Sequence, residues 1–302
     1  MPLPPLKDPD SSAERLAGLA RALPTGAFLF SSLIAINGAQ TASLAVRPIS
    51  RQTFRSFNRW AADTWWGWCV QAGHALYDIH VVATGDPVPM RENALVLANH
   101  QQMSDITFLM DYARTKDRLG DLKFFVKDPV KYVPGVGWGM WFLDCPFLKR
   151  DWAKDRDSID RTFSAFKRED IPMWLVSFPE GTRLTIEKAQ ASREYAATKG
   201  LPELRHVLVP RTKGFVASVH GLRDHVRAVY DITIGYERGV PSLWQYMKGF
   251  ARRAHFHVRR YEIDTLPRED DGLASWLMDR FVEKDALLEG FYARGAFPPA
   301  SR

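Results

Sequence analysis

The strongest constraint on the fold is an alternation in the C-terminal three quarters of the chain, where short apolar runs are separated by segments of helical composition. Residues 94–98 (ALVLA), 123–126, 173–178 (MWLVSF), 206–209 and 226–236 (VRAVYDITIGY) read as strands. Residues 104–113, 156–167, 187–199 (closing at Gly200), 212–222 and 273–292 read as helices. Strands alternating with helices specify an α/β layer, here a mixed central sheet flanked by helices. A chain of 302 residues holds one large domain or two small ones. Its two cysteines, Cys69 and Cys145, make neither a disulfide framework nor a four-ligand zinc site, so no metal and no oxidising compartment is expected.

The N-terminal quarter is different. From Ala22 to Val46 no charged residue occurs. As a helix those 25 residues would be about 37 Å long, enough to cross a hydrocarbon core. The strongly apolar part is shorter, residues 27–36, so a re-entrant or buried helix is the alternative to a span. A cleaved signal peptide fits less well, because Arg51, Arg55 and Arg59 lead on into a patterned helix. These arginines and Arg47 follow the segment with no acid before Asp63, whereas the preceding flank is balanced; the positive-inside rule then puts everything after Arg47 in the cytoplasm. Residues 56–77 carry Trp60, Trp65, Trp66 and Trp68, and fit either an interfacial helix or a core helix. The expected organisation is a membrane-associated helical region (residues 1–80) followed by an α/β catalytic domain (residues 81–302). A net charge of +6 is compatible with an anionic membrane or a phosphorylated substrate.

Candidate chemistry begins where ALVLA ends, in NHQQMSD. With Ser104 capping the next helix, His100 falls in the strand-to-helix loop and Asp105 in the first turn, close enough for the carboxylate to bond one ring nitrogen. A histidine oriented in this way is a general base. His257 and Glu262 share the same spacing but lie in FHVRRYEI, whose alternation reads as a strand face, and are assigned no chemistry. After MWLVSF comes FPEGTR, in which Gly181 permits close backbone approach, Arg183 offers a planar fork for phosphate, and Glu180 can accept from a hydroxyl. PFLKR and VPRTKG add further cations after apolar runs. Four such motifs suggest one site at the carboxyl ends of the strands.

The ordered set NHQQMSD, PFLKR, SFPEGTR and LVPRTKG resembles the four blocks of the glycerolipid acyltransferase superfamily, in its 1-acylglycerol-3-phosphate and lysocardiolipin acyltransferase branch. The resemblance extends to KDPVKYVPGVGW, KRDWAKDRDSI and EKDALLEGFYARGAFP, and runs from about residue 25 to residue 298. It implies that His100 is the general base and Asp105 its partner. It also implies that Arg150, Glu180, Gly181, Thr182 and Arg183 receive a glycerol phosphate acceptor. The partners implied are a lysophospholipid, an acyl thioester donor (acyl-CoA or acyl carrier protein) and membrane lipids, with no nucleic acid and no bound cofactor. The host membrane is a bacterial inner membrane or the endoplasmic reticulum. Position 184 is Leu where many members carry Ser, which leaves the acceptor headgroup open. A lipid hydrolase or transacylase, and a catalytically silent lipid-binding protein, are the competing classes.

Overall fold

The computed structural model describes residues 2–149 and 152–299. Two long helices, α1 (Ser12–Ala42) and α2 (Arg51–Tyr77), come first. They are followed by β1 (His80–Gly85), β2 (Ala94–Ala98), α3 (Ser104–Thr115), β3 (Leu122–Phe124), β4 (Val126–Lys127), α4 (Val136–Phe142) and β5 (Phe147–Leu148). The remainder is α5 (Trp152–Arg168), β6 (Trp174–Ser177), α6 (Ile186–Lys199), α7 (Thr212–Leu222), β7 (Ala228–Gly235), α8 (Leu243–Met247), β8 (Arg253–Glu262) and α9 (Asp270–Arg294).

The central sheet has the order β1-β8-β7-β2-β6-β3. Strands β7, β2, β6 and β3 run parallel, β8 is antiparallel to β7, and β1 runs alongside β8. All five residues of β2 are buried, which is why this strand reads as an unbroken apolar run rather than an alternating one. One face of the sheet packs Val96, Trp174 and Tyr230 against Trp66 and Val70 of α2 and Phe108 of α3. The other packs Leu95, Leu175 and Val229 among Phe163 of α5, Phe215 of α7 and Phe281 of α9. The mixed sheet between helical layers is the expected architecture.

Two expectations about strands are corrected. Residues 206–209 form no strand, because their amides are used by side chains: His206 donates to Asp285 (2.6 Å), Leu208 to Glu180 (3.0 Å) and Val209 to Ser192 (2.9 Å). PFLKR does not end a strand of the central sheet; β5 pairs with β4 in a separate two-stranded ribbon. The edge strand β1 has no counterpart among the expected runs.

Helix α1 is the one helix among the described residues that is long and apolar enough to cross a membrane by length and composition. It is nevertheless held to the catalytic domain near both ends. Gly18 packs so closely on Lys248 and Phe250 that an added Cβ would lie 2.9 Å from the Phe250 ring. Farther along, the Asn37 carboxamide oxygen accepts from the Gly135 amide at 2.9 Å. Leu16, Leu23, Phe30 and Ile34 of this helix are exposed and apolar. In α2 the indoles diverge: Trp66 is buried against the sheet, Trp65 donates to the Leu29 carbonyl (3.0 Å), and Trp60 and Trp68 face outward. The helix thus has one face in the core and one exposed aromatic face. Three of the arginines read as a topological signal are ion-paired to the domain, Arg51 to Glu169, Arg55 to Asp144 and Glu169, and Arg59 to Asp121.

Candidate active site

The buried strand β2 delivers His100 into the loop before α3. The helix begins differently from the expectation. Met103 occupies the N-cap, and Ser104 lies inside the helix with its hydroxyl donating to the Pro241 carbonyl at 2.6 Å. No side chain caps the helix; Asp105 instead orders the preceding loop, its Oδ2 accepting from the amides of Gln101 (2.7 Å) and Gln102 (2.9 Å). The same oxygen meets His100 Nδ1 at 2.9 Å. Asp105 is wholly buried, and its Oδ1 accepts from the Tyr236 hydroxyl at 2.5 Å. Burial and the Asp105 charge push the Tyr236 phenol well above its ordinary range, so it stays a donor. A carboxylate so fixed accepts a hydrogen bond from Nδ1–H and holds that tautomer, which leaves the Nε2 lone pair to accept a proton. The imidazole also stacks on Phe178, with centroids 4.1 Å apart and planes inclined by 23°.

The loop after β6 lies against this dyad. Glu180 is buried, and its two oxygens accept from the amides of His100 (2.7 Å) and Leu208 (3.0 Å). The structure therefore places Glu180 beneath the His100 loop, with both oxygens engaged by backbone. Burial is the main cause that pushes its carboxyl up to about 8, against the two backbone hydrogen bonds. Gly181 has φ +68°, and a Cβ there would lie 3.0 Å from the Arg211 side chain, so the position excludes larger residues on two counts. The Arg211 amide donates to the Pro179 carbonyl at 2.8 Å, which brings VPRTKG against FPEGTR as the motif reading required. Thr182 Oγ1 accepts from Lys188 Nζ (2.6 Å), and the exposed Arg183 guanidinium bonds the Gln102 carboxamide (2.5 Å). His100, Asp105, Glu180, Gly181, Thr182 and Arg183 thus occupy one edge of the sheet. Arg150, the remaining residue assigned to the acceptor, lies outside the described residues.

Several further residues build the site without having been assigned a role from the sequence. Asn99 clamps β2 to β7 through both the amide (2.7 Å) and the carbonyl (3.0 Å) of Ile234, and Gln101 adds a bond to that carbonyl at 2.7 Å. Lys284 and Asp231 form a buried pair at 2.7 Å under β7. An acid inside the apolar run VYDITI was the sequence signal for that pair.

The chain belongs to the glycerolipid acyltransferase family. Residues 80–237 match the Acyltransferase family model and residues 245–302 the Acyltransferase C-terminus model. Within the family it falls in the 1-acylglycerol-3-phosphate acyltransferase branch. It is 39% identical over 295 residues to 1-acyl-sn-glycerol-3-phosphate acyltransferase 3 of Arabidopsis thaliana, covering 91% of this chain and 75% of that one. It is 35% identical over 283 residues to 1-acyl-sn-glycerol-3-phosphate acyltransferase gamma of Homo sapiens, covering 90% and 73%. The crystal structure of the 1-acyl-sn-glycerophosphate acyltransferase PlsC from Thermotoga maritima shares the fold with a TM-score of 0.57 at 18% identity, over 93% of this chain and 98% of that one.

Proposed function

We propose that the chain is an O-acyltransferase that moves an acyl group from a thioester to the free hydroxyl of 1-acylglycerol-3-phosphate, forming phosphatidate. The observation that carries this reading is the His100–Asp105 dyad, with Nε2 bonded by none of the described residues and the Arg183 fork on the neighbouring loop. His100 Nε2 takes the hydroxyl proton as the oxygen attacks the thioester carbonyl. The tetrahedral intermediate collapses, the C–S bond breaks, and the thiolate leaves. A thiol of ordinary pKa is a good leaving group, so no strong general acid and no acyl-enzyme are needed. Asp105 stabilises the imidazolium formed on the way. Arg183, Thr182 and Arg150 take the acceptor phosphate, and Gly181 lets the backbone come close. Glu180 acts through His100 by fixing its amide. The test is turnover of lysophosphatidate and acyl-CoA by purified protein in detergent, read as phosphatidate by mass spectrometry. Product formed without a thioester would instead mark a transacylase.

The exposed apolar residues of α1 and the outward face of α2 support attachment in the plane of the bilayer, with the catalytic domain on the cytoplasmic side. Because the α2 arginines are engaged with the domain, aromatic burial is the main anchor. Protein lacking residues 1–46 should stay on membranes through a high-salt wash and come off with detergent; release by salt alone would show that charge dominates.

A further inference from the structure

The sheet edge that carries His100 has two sides. On one side of β2 lies β6, whose end leads to Arg183; on the other lies β7, whose end leads to Tyr236, and then the start of β8. Against this second side, beneath the first half of α1, is a cavity of about 930 Å³ that contains none of the assigned acceptor residues. Arg21, Arg238, Arg252 and Arg253 line it, together with Tyr77 and Tyr236. Its charge is not that of a closed structural network. Among the described residues none of these four guanidinium groups has an ion-pair partner, whereas the fifth lining cation, Lys248, is engaged by Asp8 at 3.1 Å. Three acids also line the space, Glu14, Asp78 and Glu237, the last engaged by His255 at 2.6 Å. The cations outnumber them, so the recess stays basic, and the planar arginine forks match phosphate oxygens.

Tyr236 is the wall this cavity shares with the dyad, since its hydroxyl bonds Asp105. A direct transfer needs two substrates flanking one base, and the acceptor residues occupy the β6 side. We propose that the cavity on the β7 side receives the phosphates of the nucleotide end of an acyl-CoA, with the pantetheine arm passing around the dyad to His100. The inference rests on the acyl-transfer reading and deepens it by placing the donor: arginine forks around one concave recess match the phosphates of a nucleotide.

The test compares the Arg238→Gln/Arg252→Gln double variant with the unaltered chain on two donors, an acyl-CoA and the same acyl group on N-acetylcysteamine, at fixed lysophosphatidate. Desulfo-CoA binding is titrated by calorimetry in parallel. The expected result is an acyl-CoA KM raised on the order of tenfold or more, with desulfo-CoA affinity reduced by the same factor. The truncated donor cannot reach the cavity, so its KM serves as the control for folding and for the dyad. Equal changes for both donors, or undiminished desulfo-CoA binding, would overturn the assignment while leaving acyl transfer in place. Weaker binding of the variant to phosphatidate-containing vesicles, with desulfo-CoA binding intact, would give the cavity to a lipid headgroup instead. Absence of transfer from either donor would defeat the acyl-transfer reading, and the titration would still decide the cavity.

Discussion

The loops after β2 and after β6 lie side by side, yet they are built to opposite specifications. In the first, the His100 amide is held by Glu180, its ring by Asp105 and Phe178, and its carbonyl by the Leu184 amide at 2.8 Å. In the second, Arg183 is exposed and engaged by one carboxamide, and Thr182 by one lysine. On the proposed mechanism, the difference matches what each loop would do. Proton transfer tolerates little misplacement, so the base is fixed from several directions. Capture of a phosphate needs a fork that can leave Gln102 when a better acceptor arrives.

The sharpest way to break the comparison is His100→Ala. It should lower kcat on the order of 10²-fold or more while the chain still folds, with some loss of melting temperature because the largely buried imidazole stacks on Phe178 and bonds Asp105. A folded variant with near-normal turnover would remove the dyad from the mechanism. Arg183→Lys tests the mobile side. Its charge is kept but the two-pronged contact is lost, so the lysophosphatidate KM should rise about tenfold while the donor KM stays constant; equal damage to both would mark a structural ion pair.

Tyr236→Phe removes one of the hydrogen bonds that hold Asp105. Turnover should fall about three- to tenfold at constant acceptor KM, the cost of one charge-assisted bond to a carboxylate that keeps its other partners. A smaller effect, on stability rather than rate, comes from Glu180. Its folded carboxyl is raised from the ordinary 4.5 to about 8, so its proton favours the folded state below about pH 4.5 and that contribution is lost as pH rises through about 8. Chemical denaturation across this range should show stability falling with pH. Glu180→Gln should flatten the slope while lowering stability throughout, since the amide nitrogen cannot accept from a backbone N–H.

The parts of the molecule legible in the sequence are those where one physical requirement dominates. β2 and β6 are buried on both faces, and nothing but apolar residues fits there. Thr185 and Gly200 mark the ends of α6 because a helix terminus needs a side-chain acceptor at one end and a left-handed residue at the other. Residues 206–209 are as apolar as a strand, but their amides satisfy Glu180, Ser192 and Asp285, which come from three other segments. Tyr236 lies 131 residues from Asp105, so its place beside the carboxylate is set by the pairing of β7 with β2. The arginines after Val46 carry the composition of a topology signal, yet ion pairs to Glu169, Asp144 and Asp121 give three of them a structural role that charge counting does not distinguish.

Helix α2 buries Trp66 and Val70 in the same core as Val96 and Trp174, and turns Trp60 and Trp68 outward. On the attachment proposed above, the outward face of α2 and the strand that carries His100 share one packed core, so the distance of His100 from the lipid surface is set by the fold rather than by a linker. Turnover should then respond to how easily a lysolipid headgroup reaches that fixed height, and hence to lateral crowding of the surrounding headgroups.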